Sequence, residues 1–161
     1  MTRILGIDPG LVTTGYGIID HVQNKITPVT YGLIQPNAQG SMAERLYTLH
    51  ARLLSVIEEF NPHVAAIEET FVNKNPTSAL KLGMARGVLL MTPALKKIPV
   101  YEYGANKIKK TIVGVGHANK DQVIMMVKHL LPKVGSDLKA DSADALAVAL
   151  CHAQHEFILG C

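Results

Sequence analysis

Asp8 ends an apolar run, Ile4-Leu5-Gly6-Ile7, and Pro9-Gly10 turns the chain directly after it. Glu68 closes a second run, Val64-Ala65-Ala66-Ile67. Asp141 and Asp144 stand three positions apart, ahead of a stretch made only of Ala, Leu and Val. All four are hard oxygen donors, the ligand type that Mg²⁺ or Mn²⁺ takes in preference to thiolate and imidazole. No Cys or His cluster has zinc spacing, and His117, His152 and His155 are scattered as ordinary surface or packing residues are. Two hard cations about 4 Å apart can activate a water and stabilise the leaving oxygen of a phosphodiester.

These acids need a scaffold that brings them together. Strands are expected at residues 3–8, 14–20 and 26–34, at the spacing of an antiparallel meander. Pro28 suits an edge strand. Ser41-Met42-Ala43-Glu44 is a capping-box pattern, and the apolar stripe from Met42 to Phe60 predicts a helix over 41–60, ended by Asn61-Pro62. A buried strand follows at 64–68, a loop at 69–76 and a helix at 77–92, with Asn75-Pro76 as its start signal. Gly83, Ala85 and Gly87 in that helix suggest close packing, within one subunit or across a dimer. A strand at 99–103, helices at 105–112 and 119–131 joined by Gly114-Val115-Gly116-His117, and a last helix at 140–156 complete the chain.

The expected fold is α/β: a mixed five-stranded sheet with helices on both faces. A right-handed crossover through helix 41–60 lays strand 64–68 parallel to strand 3–8. Ligands bind at such a switch point, beyond the carboxyl ends of the strands. Strands lie about 4.8 Å apart, so Asp8 and Glu68 crowd each other unless a cation sits between them. Asp141 and Asp144 share one face of the last helix near its start. Capping or the helix dipole also explains acids there; that reading covers one Asp easily and two with more strain.

The 161 residues, 48% of them hydrophobic, are expected to form one domain over 1–161 with a sizeable core. No apolar run approaches the roughly 20 residues of a membrane span, and no signal peptide is expected. Cys151 and Cys161 make no disulfide framework, which fits free thiols and a cytoplasmic location. Net charge is only +3, yet residues 74–139 carry twelve Lys or Arg against three acids. A polyanion partner and a solvated basic surface both account for that asymmetry.

Four segments in order carry a specific likeness: ILGIDPGLVTTGYGIID at 4–20, AIEETFVNKNPTSALKLGMARGV at 66–88, VYEYGANKIKKTIVGVGHANKDQV at 100–123 and KADSADALAVAL at 139–150. The sequence resembles the bacterial RuvC family of Holliday junction resolvases, in the ribonuclease H-like superfamily, over about residues 3–156. The resemblance implies a homodimer that nicks four-way DNA junctions in symmetric pairs, leaving 5′-phosphate and 3′-hydroxyl ends, during recombination and repair. It places the catalytic, metal-binding acids on Asp8, Glu68, Asp141 and Asp144, with Mg²⁺ or Mn²⁺, two ions per site. It sets the family's base-contacting aromatic on Phe71, where the residue type alone fits base stacking or a side chain folded onto the core. Two activity-supporting lysines fall on Lys109 and Lys120, with Lys107 and Lys110 close by. Each lysine alone reads as a solvated charge; clustered beside glycines that admit a close backbone, they read as phosphate contacts. The helix at 77–92 matches the family's dimerisation element, and the RuvA–RuvB branch-migration complex is an implied partner. Glu69 departs from the family pattern; as the neighbour of Glu68 on a strand, it should face away from the metals.

Two other classes compete. Sugar kinases and actin-like ATPases also open with a strand, an Asp-containing turn and a hairpin, but they need two such domains around a nucleotide, and no Walker-type loop is present here. A structure-specific DNA-binding module without cleavage would suit the basic half equally. The four intact carboxylates argue against it, since DNA repels uncompensated acids.

Overall fold

The computed structural model describes residues 1–69 and 75–159. Its elements run β1 (Thr2–Asp8), β2 (Thr14–Val22), β3 (Lys25–Ile34), α1 (Met42–Phe60), β4 (Val64–Glu69), α2 (Pro76–Leu95), β5 (Val100–Gly104), α3 (Ala105–Val113), α4 (Lys120–Leu130) and α5 (Ala140–Leu159). The strands form one sheet in the order β3-β2-β1-β4-β5. The meander β1-β2-β3 is antiparallel, and β4 and β5 add parallel strands on the other side of β1. The expected mixed sheet and its switch point between β1 and β4 are therefore present.

Local chemistry sets the boundaries. Ser41 and Glu44 form a reciprocal capping box at the start of α1, and Asn61 closes that helix in the left-handed conformation. Asn119 and Gln122 make a second capping box at α4. β3 is an edge strand, and Pro28 adjoins a bulge: Ile18 pairs with Thr30 and Ile19 with Pro28, leaving Val29 as the extra residue. α2 is longer than expected. It runs through Thr92 and Pro93 to Leu95, because a proline in the last turn forfeits one hydrogen bond while both residues stay buried. α5 extends to Leu159 instead of stopping near 156.

The two-residue alternation of the strands divides the core. Leu5, Ile7, Ala65 and Ile67 face α1 and α2, where they meet Leu49, Leu53, Ile57, Ala85 and Leu89. Ile4, Val64 and Ala66 face α3, α4 and α5, whose contributions include Ile108, Val127, Leu146 and Val148. The second face is unusually close-packed. A β-carbon on Gly6 would lie 2.0 Å from the Ala145 carbonyl oxygen, and one on Gly15 would lie 1.9 Å from that of Asp141. A β-carbon on Gly17 would run into Leu146. α5 thus rests directly on the backbones of β1 and β2. Ser142, buried in its first turn, donates from Oγ to the Gly32 carbonyl at 3.1 Å.

Gly15→Ala should therefore force the N-terminal turn of α5 off the sheet. Overpacking of this kind costs about 1–3 kcal/mol, and a thermal melt should show a drop of several degrees.

Candidate active site

β1 and β4 both end beyond the switch point with a carboxylate on the α5 face. On β1, Gly6 and Asp8 share that face; on β4, Ala66 and Glu68 do. Because α5 lies on glycine, its first turn reaches the same place. Asp8, Asp141 and Asp144 each bring one carboxylate oxygen within 4.8 Å of the others. Glu68 completes the group, close enough to Asp8 to share a hydrogen bond. The four acids line a cavity of about 310 Å³ together with Pro9, Ala105, Ile108, Lys109, Lys120, Val123 and Ala147.

The crowding shows in the acids' proton affinities. Burial, then the charge of Glu68, then that of Asp144 push the Asp8 carboxyl up to about 9. Burial and Glu68 push Asp144 up to about 6, against the opposing pull of Lys120 and Lys109. Glu68 is raised by burial, while the hydrogen bond with Asp8 and the two lysine charges hold it back. Carboxylates placed where they resist ionising form a receptor for positive charge. Hard oxygen donors at this spacing suit a divalent cation, so the residues fit the metal that the sequence implies.

The structure sorts the lysines. Lys109 of α3 and Lys120, which opens α4, flank the acid cavity. Lys107 points elsewhere, its Nζ 5.3 Å from the centre of the Tyr103 ring. Lys110 is exposed and does not line the cavity. Phe71 lies outside the described residues. Glu69, on the opposite side of β4 from Glu68, does not line the cavity, as the strand alternation requires. His152 is a packing residue: it is 1% exposed, and its Nδ1 lies 2.7 Å from the Tyr103 hydroxyl. Cys151 is a buried free thiol.

Sequence reasoning missed two supports. Thr14, fully buried at the start of β2, donates from Oγ1 to the Gly10 carbonyl at 2.6 Å and accepts from the Gly10 N–H at 3.1 Å. It fastens the turn that follows Asp8. Arg86 of α2 donates from Nε to the Glu68 carbonyl at 3.4 Å and pairs with Glu102. A threonine four residues after a Pro-Gly turn gave a faint signal for the first; nothing in the sequence marks the second.

The sheet order, with acids at the ends of its two central strands and on the helix laid across them, defines a ribonuclease H-like nuclease. The family model for crossover junction endodeoxyribonuclease RuvC matches residues 4–152. The chain belongs to the RuvC family. It is 56% identical over 153 residues to the crossover junction endodeoxyribonuclease RuvC of Paramagnetospirillum magneticum, covering 95% of this chain and 92% of the relative. The RuvC of Brucella suis biovar 1 is 50% identical, with 95% and 88% covered. Thermus thermophilus RuvC, solved in complex with a Holliday junction substrate, superposes with a TM-score of 0.90 at 33% identity, covering 98% of this chain and 96% of that one. The yeast mitochondrial Holliday junction resolvase Ydc2 shares the fold, with a TM-score of 0.73 at 19% identity over 99% and 80% of the two chains.

The raised carboxyls fix the sign of a pH effect. In the unfolded chain Asp8 ionises near 3.8; in the fold it holds its proton up to about 9. The folded state binds more protons between those values, so Asp8 costs the metal-free protein stability as pH rises through that window. A divalent cation must displace the same protons, so its binding tightens with pH. The rise in melting temperature on adding Mg²⁺ should therefore grow from about pH 5 to about pH 9. Metal-free Asp8→Asn should melt above metal-free wild type at the alkaline end and lose most of the Mg²⁺ response.

Proposed function

We propose that the protein is a homodimeric Holliday junction resolvase that cuts four-way DNA junctions by metal-dependent hydrolysis, with Asp8, Glu68, Asp141 and Asp144 as its catalytic carboxylates. The observation that carries this reading is the convergence of those four acids in one cavity flanked by Lys109 and Lys120. Membership of the RuvC family, and the likeness to a RuvC that was solved with its junction, support the substrate.

The four carboxylates would hold Mg²⁺, or Mn²⁺, as a pair of ions. Bound there, the ions supply a water that is more easily deprotonated and neutralise charge on the phosphate. The chain's own residues do the remainder. β1 and β4 fix Asp8 and Glu68 at strand ends, and α5 fixes Asp141 and Asp144, so the acids are placed before DNA arrives. Lys109 and Lys120 offset the negative cavity and draw a phosphodiester towards it. Phe71 would contact bases near the crossover, and Lys107 and Lys110 would hold backbone outside the cavity.

Dimerisation would use α2. Its inner side is buried through Ala85 and Leu89, whereas Leu80, Met84, Met91 and Leu95 are 69%, 50%, 46% and 62% exposed. Gly83 and Gly87 open onto free space between them. The small residues of the sequence thus divide: Ala85 packs within the subunit, and the two glycines leave room for a second copy. A cytoplasmic dimer working beside the RuvA–RuvB complex is the setting that this family membership favours. Among the described residues no helix is long and apolar enough to cross a membrane.

The test is nicking of a mobile synthetic four-way junction against a matched linear duplex, with and without Mg²⁺. Paired, ligatable nicks confined to the junction and to the metal-containing reactions are expected. Binding without cutting would reduce the protein to a junction-binding module, and equal cutting of duplex would remove the structural selectivity. Asp8→Asn should abolish cleavage while junction binding holds or tightens, because a negative charge is lost. Lys109→Ala should weaken binding and lower the slope of log K against log salt by about 0.9, one phosphate contact on duplex arms.

A further inference from the structure

Arg86 joins α2 to the carboxyl ends of β4 and β5. It stands on α2, the helix with the unpartnered apolar side, and its side chain is 19% exposed. Its Nε reaches the main-chain carbonyl of Glu68, and its Nη2 pairs with the Glu102 carboxylate. In the parallel ladder Ile67 lies opposite Glu102 and Glu68 opposite Tyr103, so the guanidinium spans the carboxyl ends of β4 and β5. Glu102 and Ile67 face α2, whereas the Glu68 carboxylate faces α5. Arg86 therefore holds the Glu68 backbone from behind the sheet while the carboxylate enters the acid cavity in front.

We propose that Arg86 is a positioning residue that fixes Glu68 for metal binding and makes that placement depend on how α2 is seated. The fork geometry of a guanidinium is what the position requires: one N–H for a carbonyl and another for a carboxylate. Lysine can satisfy Glu102 or the Glu68 carbonyl, but it lacks the planar fork to hold both. The inference rests on the proposed nuclease reading for its consequence, though the effect on the metal site can be measured without cleavage.

The experiment compares wild type with Arg86→Met, Arg86→Lys and Glu102→Gln. Mn²⁺ affinity of the DNA-free protein is read by electron paramagnetic resonance. Junction affinity in Ca²⁺, single-turnover nicking in Mn²⁺, oligomeric state and melting temperature are read alongside. Arg86→Met should weaken Mn²⁺ binding at least fivefold and slow nicking at least tenfold, with junction affinity within about twofold and the dimer intact. Arg86→Lys should recover part of both losses. Glu102→Gln, which keeps an acceptor but not the charge, should fall between wild type and Arg86→Met. If Arg86→Met does not fold, Arg86→Lys and Glu102→Gln decide the matter by their Mn²⁺ affinities. Mn²⁺ affinity within twofold of wild type in all folded variants overturns the proposal. So does a parallel fall in junction binding and nicking with unchanged Mn²⁺ affinity. If wild type binds Mn²⁺ but cuts no junction, the nuclease reading fails, and the Mn²⁺ series still tests the role of Arg86.

Discussion

The approach of α5 to the sheet is the constraint on which the site depends. A helix normally stands off a sheet by the thickness of the side chains between them. Here Gly6, Gly15 and Gly17 remove one layer, and the Ala-rich face of α5 thins the other. The first turn of α5 thereby drops to the level of the strand ends, where Asp141 and Asp144 meet Asp8. A single β-carbon in that lane would raise the helix and open the carboxylate cluster. The glycines thus shape the acid cavity as much as the carboxylates do, although they do not line it.

Electrostatics works against this packing. Burying several carboxylates in one cavity raises their proton affinity, and the shifts of Asp8, Glu68 and Asp144 all run that way. Lys109 and Lys120 offset part of the charge, pulling against the rise of Glu68 and Asp144. What remains is an excess of negative charge of the kind that suits a hard cation, and the fold keeps it in place through hydrophobic burial elsewhere. The apolar cores on the two faces of the sheet hold the strand ends rigid enough for the acids to stay close despite their repulsion.

Much of this was legible in the residues. The strand alternation placed Asp8 and Glu68 on one face and Glu69 on the other, and the structure agrees because period two leaves no alternative within a paired strand. The capping box at Ser41 and the edge position of β3 were equally local features. The end of α2 was not legible, since Pro93 reads as a terminator and only its burial shows why the helix persists. Proximity in sequence alone does not tell Lys107 from Lys109. A helix turns about 100° per residue, so neighbours two apart point to different sides, and Lys107 lies over Tyr103 while Lys109 lines the cavity. The Thr14 and Arg86 contacts join distant or irregular backbone, and no periodicity encodes them.

The order of elements along the chain also governs when the acid cluster can form. Asp8 is laid down in β1, whereas the helix bearing Asp141 and Asp144 follows every other described element. Ribosomes add about 5–20 residues per second, so the nascent chain spends seconds with β1, β2 and β4 available and the acid cluster incomplete. During that interval Gly6, Gly15 and Gly17 have no α5 to carry. Completion of α5 then lays Asp141 and Asp144 beside Asp8, so the carboxylate cluster arrives with that helix and not before it.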